Sequence, residues 1–166
     1  MDSKEKVVIL CMIMHNHAPE NYKCPLCRLV NGIEDEFVYS KQSDIFYKDD
    51  MVTAFISSHS WPNVEGNVII IPNEHIENIY SISEDLLSQI SILSKKIALV
   101  MKKTYNCDGI SLRQHNEKAG DQDVWHYHLH VMPRYQGDNL YLSHDKKYPT
   151  TPESRKKFVD LLKNNM

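Results

Sequence analysis

An alternation of imidazole and bulky apolar side chains, Trp125-His-Tyr-His-Leu-His-Val131, constrains this chain more than any other feature in it. A period of two belongs to a β-strand, so His126, His128 and His130 share one face while Trp125, Tyr127, Leu129 and Val131 share the other. A helix would scatter the same residues around its axis. Imidazole serves metal chelation, nucleophilic or acid-base chemistry and solvated polar faces alike, and the spacing alone leaves all of these open.

The rest of the chain reads as strands and two helices. Strands are predicted at Asp44–Tyr47, Met51–Ile56, Asn67–Ile71, Gly109–Arg113 and Trp125–Met132, several of them bounded by Gly, Pro, Asn or Asp. A long helix is predicted from Glu84 to about Tyr105, because Leu86, Ile90, Leu93, Ile97 and Val100/Met101 recur three or four apart. Ser81-Ile-Ser-Glu84 has the spacing of a capping box, and Lys95, Lys96, Lys102 and Lys103 crowd the end where cations suit the helix dipole. A second helix starts at Pro152 and runs through Phe158, Leu161 and Leu162. This order predicts an α+β fold, with helices covering one face of a mainly antiparallel sheet of about five strands.

At 166 residues the chain fits a single domain, expected over residues 22–166 behind an N-terminal arm of residues 1–21. Within that arm Val7–Met14 is expected to add a strand or pack as an apolar segment, and His15–Tyr22 to form a loop. The apolar run is too short to cross a bilayer and lacks a small-x-small cleavage site after it, so neither a membrane span nor a secretory signal is expected. Four cysteines in a chain of this size do not make a secreted disulfide scaffold, which points to the cytoplasm. The formal charge of −3, with both signs interspersed, gives no global attraction to nucleic acid or membrane. Any attraction for phosphate must be local.

Cys24-Pro-Leu-Cys27 is half of a tetrahedral zinc site, without the second Cys-x-x-Cys pair that a zinc ribbon would supply. Two more ligands must come from elsewhere, and His75 and His126 are the strongest candidates. The alternatives are a pair of small buried apolar residues or a redox motif, for which no surrounding βαβ pattern is present.

The run from Asn116 through Gln122 to His126-Tyr-His128-Leu-His130-Val-Met-Pro-Arg134 resembles the histidine triad nucleotide hydrolases and transferases. Upstream, Ala54-Phe-Ile56 followed by Gly66-Asn-Val-Ile-Ile-Ile-Pro72-Asn-Glu-His75 is similar to the same family, and Cys24 to Gly32 resembles its zinc-binding bacterial members. Pro133-Arg-Tyr-Gln-Gly-Asp138 with a C-terminal helix resembles the fragile histidine triad branch. The resemblance implies a HIT-like fold and a homodimer. It implies that His128 is the nucleophile attacking the α-phosphorus of a nucleotide, and that His130 and Gln122 act at the phosphate. Asn116 would join Gln122 and His130 in binding substrate. The same resemblance makes Cys24, Cys27, His75 and His126 a closed, structural zinc site.

Two departures from the family pattern stand out. Glu117 and Asp121 occupy positions where members usually carry glycine, and Ser57 stands where an acidic residue commonly grips the ribose, followed by an enlarged Ser58-His-Ser-Trp61 segment. Phe55, Ile56 and Trp61 are either neighbours of a base or core. The expected function is cleavage of a phosphoanhydride or phosphoramidate bond in a dinucleoside polyphosphate or nucleoside phosphoramidate, with an adenine nucleotide as substrate. The alternative from another class is a nucleotide-sensing module with little turnover. A metallohydrolase using all three histidines would leave Cys24 and Cys27 without a task.

Overall fold

The computed structural model describes residues 15–166. Its strands are β1 (Ile45–Lys48), β2 (Val52–Ile56), β3 (His59–Ser60), β4 (Val68–Pro72), β5 (Gly109–Gln114), β6 (Leu129–Arg134) and β7 (Tyr148–Pro149). Its α-helices are α1 (Pro25–Val30), α2 (Glu84–Thr104) and α3 (Pro152–Lys163). Five strands form an antiparallel sheet in the order β1-β2-β4-β6-β5, while β3 and β7 pair separately as a short ribbon. The expected α+β architecture is therefore present.

The two inner strands explain the layering. Val52, Ala54 and Ile56 of β2, with Val68 and Ile70 of β4, pack into the core beneath α2, whereas Phe55 and Ile71 turn to the opposite face and meet Leu29 of α1. Strands covered on both faces need near-continuous apolar sequence, and β2 is buried at every position. The helix α2 contributes its predicted stripe, with Leu86, Ile90, Leu93, Ile97 and Met101 all buried. Its cap is Ser83 rather than Ser81: the Ser83 hydroxyl accepts from the Leu86 N–H at 3.3 Å. Thr151 caps α3 in the same way through the Ser154 N–H, with Pro152 in the first turn, and Val159 and Leu162 join the main core.

The histidine strand starts later than its sequence pattern predicts. Ladder pairing begins at Leu129, opposite Ile70, because the next positions along β4 lead to Pro72, which has no N–H to give. Residues before Leu129 make single bonds instead, from the Tyr127 N–H to the Ile76 carbonyl and from the His126 N–H to the Val124 carbonyl. The alternation nevertheless continues past the ladder, since Tyr127 and Val131 belong to the main core and Leu129 packs against it.

The Val7–Met14 segment lies outside the described residues. Residues 15–18 are irregular, as expected of a loop, but they are tied to the domain. The N–H groups of His17 and Ala18 donate to the Glu77 carboxylate, and the Asn78 amide donates to the His15 carbonyl. Among the described residues no helix is long and apolar enough to cross a membrane.

Candidate active site and metal centre

Cys24 caps α1, its sulfur accepting from the Cys27 N–H at 3.4 Å, so the first turn of the helix turns both sulfurs to one side. His75 follows the end of β4 and His126 precedes β6, and these neighbouring strands carry both imidazoles to the sulfurs. Cys24 Sγ and Cys27 Sγ lie 3.3 and 3.4 Å from His126 Nδ1, and Cys27 Sγ lies 3.2 Å from His75 Nδ1. All four candidate donor atoms fall within 4.8 Å of one another. A tetrahedral zinc with ordinary Zn–S and Zn–N bonds separates sulfur from nitrogen by roughly 3.6 Å, so the four residues fit that ion. The opposite ring nitrogen of His126 donates to the Pro72 carbonyl at 3.1 Å, which fixes the tautomer that leaves Nδ1 free to bind. Cys24 is held well below the ordinary thiol range, by the Cys27 thiol first and then by the imidazoles, and Cys27 is pushed up by the same pairing and by burial.

Beyond that centre, His128 is buried, and its Nδ1 donates to the His126 carbonyl at 2.7 Å. That bond leaves the Nε2 lone pair facing the side of Asp123, whose Oδ1 lies 3.8 Å away. Burial lowers the pKa of His128, the bond to the His126 carbonyl offsetting part of the effect. His130 is lowered further, by burial and then by the adjacent His128, and its buried Nδ1 has no hydrogen-bond partner among the described residues. The two rings meet edge to face with centroids 5.2 Å apart. Both are therefore neutral near pH 7. Burial raises the Asp123 carboxyl, but Lys147 at 3.1 Å, His128 and His130 together hold it below the usual range.

His128 and His130 line a cavity of about 320 Å³. Leu26, Leu29, Val38, Phe55 and Ile69 give it an apolar wall, and Ser57, Ser58 and His59 give it a polar rim. The rim is braced from outside: the Thr150 N–H and hydroxyl both donate to the Ser58 carbonyl, at 2.8 and 3.0 Å. Phe55 is thus a cavity neighbour, whereas Ile56 lies in the main core. Trp61 does both jobs, packing with Val64, Met132 and Leu140 while bordering the cavity.

Of the residues expected at the phosphate, His128 and His130 are together, but Asn116 and Gln122 line neither this cavity nor the smaller one beside it. The Gln122 amide donates to the carbonyls of Glu77 and Val124 and accepts from the Glu117 N–H. Asn116 accepts from the Ile79 N–H and exchanges hydrogen bonds with Gln114. Both brace the loop that leads to the histidines. Beside the two histidines, lining both cavities, stand Asp123 and Lys147, which the strand pattern did not single out. Asp123 sits beside Gln122 in the motif, an ionisable side chain three residues before the first triad histidine, His126; Lys147 lies in an irregular segment with no periodicity to mark it.

Comparison with known proteins now bears on this geometry. A family model described as HIT domain matches residues 39–137. "Protein hit" of Bacillus subtilis is 34% identical over 126 residues, covering 75% of this chain and 79% of that protein. A bis(5'-adenosyl)-triphosphatase of Dictyostelium discoideum is 24% identical over 98 residues, 59% of this chain and 64% of its own. Among solved structures, a Hit-like protein involved in cell-cycle regulation from Bartonella henselae superposes with a TM-score of 0.70 at 26% identity, covering 90% of this chain and 100% of that one. A Zn-bound histidine triad family protein from Mycobacterium smegmatis gives 0.67 at 22% identity, over 86% of this chain and 92% of its own. With the triad strand, the matched domain and the sheet order in agreement, the chain belongs to the HIT family.

Proposed function

We propose that the protein is a nucleotide hydrolase or transferase that cleaves a phosphoanhydride or phosphoramidate bond at the α-phosphate of a nucleotide, through a nucleotidyl-histidine on His128. One observation carries this: a buried imidazole whose Nδ1–H is held by a backbone carbonyl at 2.7 Å, leaving an oriented Nε2 lone pair at the bottom of a nucleoside-sized cavity. The Nε2–phosphorus bond forms as the bond to the leaving group breaks, and water then hydrolyses the phosphoramidate, splitting one difficult displacement into two. A neutral His130 offers the phosphoryl oxygens an N–H, and Asp123 faces the imidazolium-like charge that develops on His128. Gln122 and Asn116 serve the same step from behind, by fixing the loop. The apolar wall around Phe55 takes the base, for which adenine is our choice, and the working form is a homodimer.

Zinc on Cys24, Cys27, His75 and His126 acts in this scheme as a structural ion that ties α1 to the approach of β6. The similarity to a bis(5'-adenosyl)-triphosphatase supports the choice of chemistry. The test is to trap the intermediate. Brief incubation with an α-phosphate-labelled dinucleotide, followed by alkaline denaturation, should leave label on the wild-type protein and none on His128→Asn. Tight nucleotide binding without label or turnover in either form would instead make the protein a sensing module.

A further inference from the structure

The loop between β5 and β6 enters, at Glu117, a backbone region with φ 61° and ψ 165°. Glycine alone populates it freely, because a Cβ there meets neighbouring backbone, and any other residue carries a penalty of roughly five- to hundredfold in population. Asp121, at φ 71° and ψ 26°, lies in the left-handed region that aspartate tolerates. The surroundings hold Glu117 in place. Its N–H donates to Gln122 Oε1 at 2.7 Å, and its carbonyl accepts from the N–H groups of Gly120 and Gln122 at 3.1 and 3.0 Å. Its carboxylate is gripped from two sides, Oε2 accepting from His17 Nε2 at 2.9 Å and Oε1 from the Tyr80 hydroxyl at 3.1 Å, which keeps the group below its usual range. His17 belongs to residues 15–18, the segment tied to Glu77 and Asn78, and its ring lies 5.6 Å from that of Trp125, next to His126. Those residues form a strap across the base of the loop. A single exposed pair offsets about fivefold at most, so the whole set is needed to keep the glutamate in this conformation. The loop in turn carries His115 and Asp121 to the smaller cavity beside His128 and His130, with Asp123 following at its end. His115 is cross-tied within it, Nδ1 donating to the Gly120 carbonyl at 2.6 Å.

We propose that Glu117 is a positioning residue: its carboxylate, gripped by His17 of the N-terminal strap and by Tyr80, holds the β5–β6 loop in a glycine-type conformation that sets His115, Asp121 and Asp123 beside His128. This rests on the hydrolase or transferase chemistry proposed above and names what aligns it. The strap thereby acts on the reaction without touching substrate. The side chain and the backbone at this position pull in opposite directions, which makes the role separable. Alanine at 117 keeps the Cβ and loses the grip, so the loop leaves its conformation. Glycine loses both the grip and the reason for it, so the loop stays and no longer depends on His17.

The experiment uses the full-length, zinc-loaded protein as wild type, Glu117→Ala, Glu117→Gly, His17→Phe and the double variant His17→Phe/Glu117→Gly. Two readouts are taken: amide exchange of Gly120 and Gln122 by NMR, and kcat and KM for diadenosine triphosphate. Glu117→Ala should speed exchange by about tenfold and lower kcat by about fivefold or more. KM should stay within about twofold, because the apolar wall around Phe55 is not part of the loop. Glu117→Gly should remain within about threefold of wild type in both readouts. His17→Phe keeps a ring against Trp125 and removes the donor; it should speed exchange about threefold beside Glu117 and leave it unchanged in Glu117→Gly. Equal losses in Glu117→Ala and Glu117→Gly overturn the proposal, as does faster exchange with unchanged kcat. An equal effect of His17→Phe in both backgrounds also overturns it, and that comparison decides the matter if Glu117→Ala does not fold. If wild type has no turnover yet the exchange pattern is as expected, the clamp on the loop stands and the hydrolase chemistry fails.

Discussion

Asp44 and Arg155 form the one ion pair, among the described residues, with both side chains buried, at 1% and 3% exposure. The pairing is bidentate: Arg155 Nε donates to Asp44 Oδ1 and Nη2 to Oδ2, each at 2.8 Å. Asp44 Oδ2 also accepts from the Lys41 N–H, while Arg155 Nη1 donates to the Thr150 carbonyl. Removing one partner strands the other charge in the interior, where water cannot repay its lost hydration. Asp44→Ala should therefore cost about 3–5 kcal/mol, a large fraction of the ~5–15 kcal/mol that holds a domain folded. With a urea m-value of about 2 kcal/mol/M, the midpoint should fall by about 1.5–2.5 M. Tryptophan fluorescence in urea, with zinc held in excess so that metal occupancy is constant, measures it directly. The double variant Asp44→Leu/Arg155→Met strands no charge and should lose less than the sum of Asp44→Leu and Arg155→Met alone. A midpoint shift below about 0.5 M at unchanged m for Asp44→Ala, or simple additivity in the cycle, would refute the electrostatic account. The pair also reaches the site, because Thr150 braces Ser58 at the rim of the larger cavity. Arg155→Met should accordingly raise KM for nucleotide more than it lowers kcat.

Other perturbations have equally definite outcomes. Cys24→Ser should lower zinc content, read by elemental analysis, and reduce thermal stability in the same preparation; full zinc retention would remove Cys24 from the ligand set. Asp138, whose carboxyl Arg134 grips through two 2.7 Å bonds and holds well below the usual range, contributes stability that is complete above about pH 4 and is lost as pH falls towards its folded pKa. Asp138→Asn should thus lower stability at pH 7 and flatten the acid limb below pH 4, seen in denaturation midpoints measured across that range. Gly66 has φ +72°, and a Cβ there would strike the Phe158 ring of α3. Gly66→Ala should cost about 1–3 kcal/mol in chemical denaturation, and a neutral outcome would mean that α3 shifts freely.

How much of this was legible in the sequence depended on range. The central strands and both long helices followed from local periodicity, which is set by neighbours within a turn or a pleat. The four zinc-competent residues were legible for another reason: Cys24-x-x-Cys27 marks half a site by its spacing, and the resemblance to zinc-binding family members joined His75 and His126 to it across a sequence separation of 102 between Cys24 and His126. The polar surroundings of His128 and His130 were not legible in that way. Asn116 and Gln122 are amides, able to face substrate or backbone equally well, and only the positions of Glu77, Ile79 and Glu117 show that backbone claims them. Asp123 and Lys147 gain their place through each other and through Trp61, which holds the carbonyl of His144 nearby. No pattern in sequence encodes that meeting.

The start of β6 shows what such long-range control does to chemistry. Had the ladder continued through Trp125, as the alternation predicts, the carbonyl of His126 would belong to a strand register. Where the pairing stops, the His126 carbonyl instead accepts from His128 Nδ1, and the Pro72 carbonyl accepts from His126 Nε2. Two backbone carbonyls thus set the tautomers of two successive triad histidines, turning Nδ1 of the first towards the sulfurs and Nε2 of the second towards the cavity. Equal spacing in the sequence becomes unequal chemistry at the point where the ladder stops.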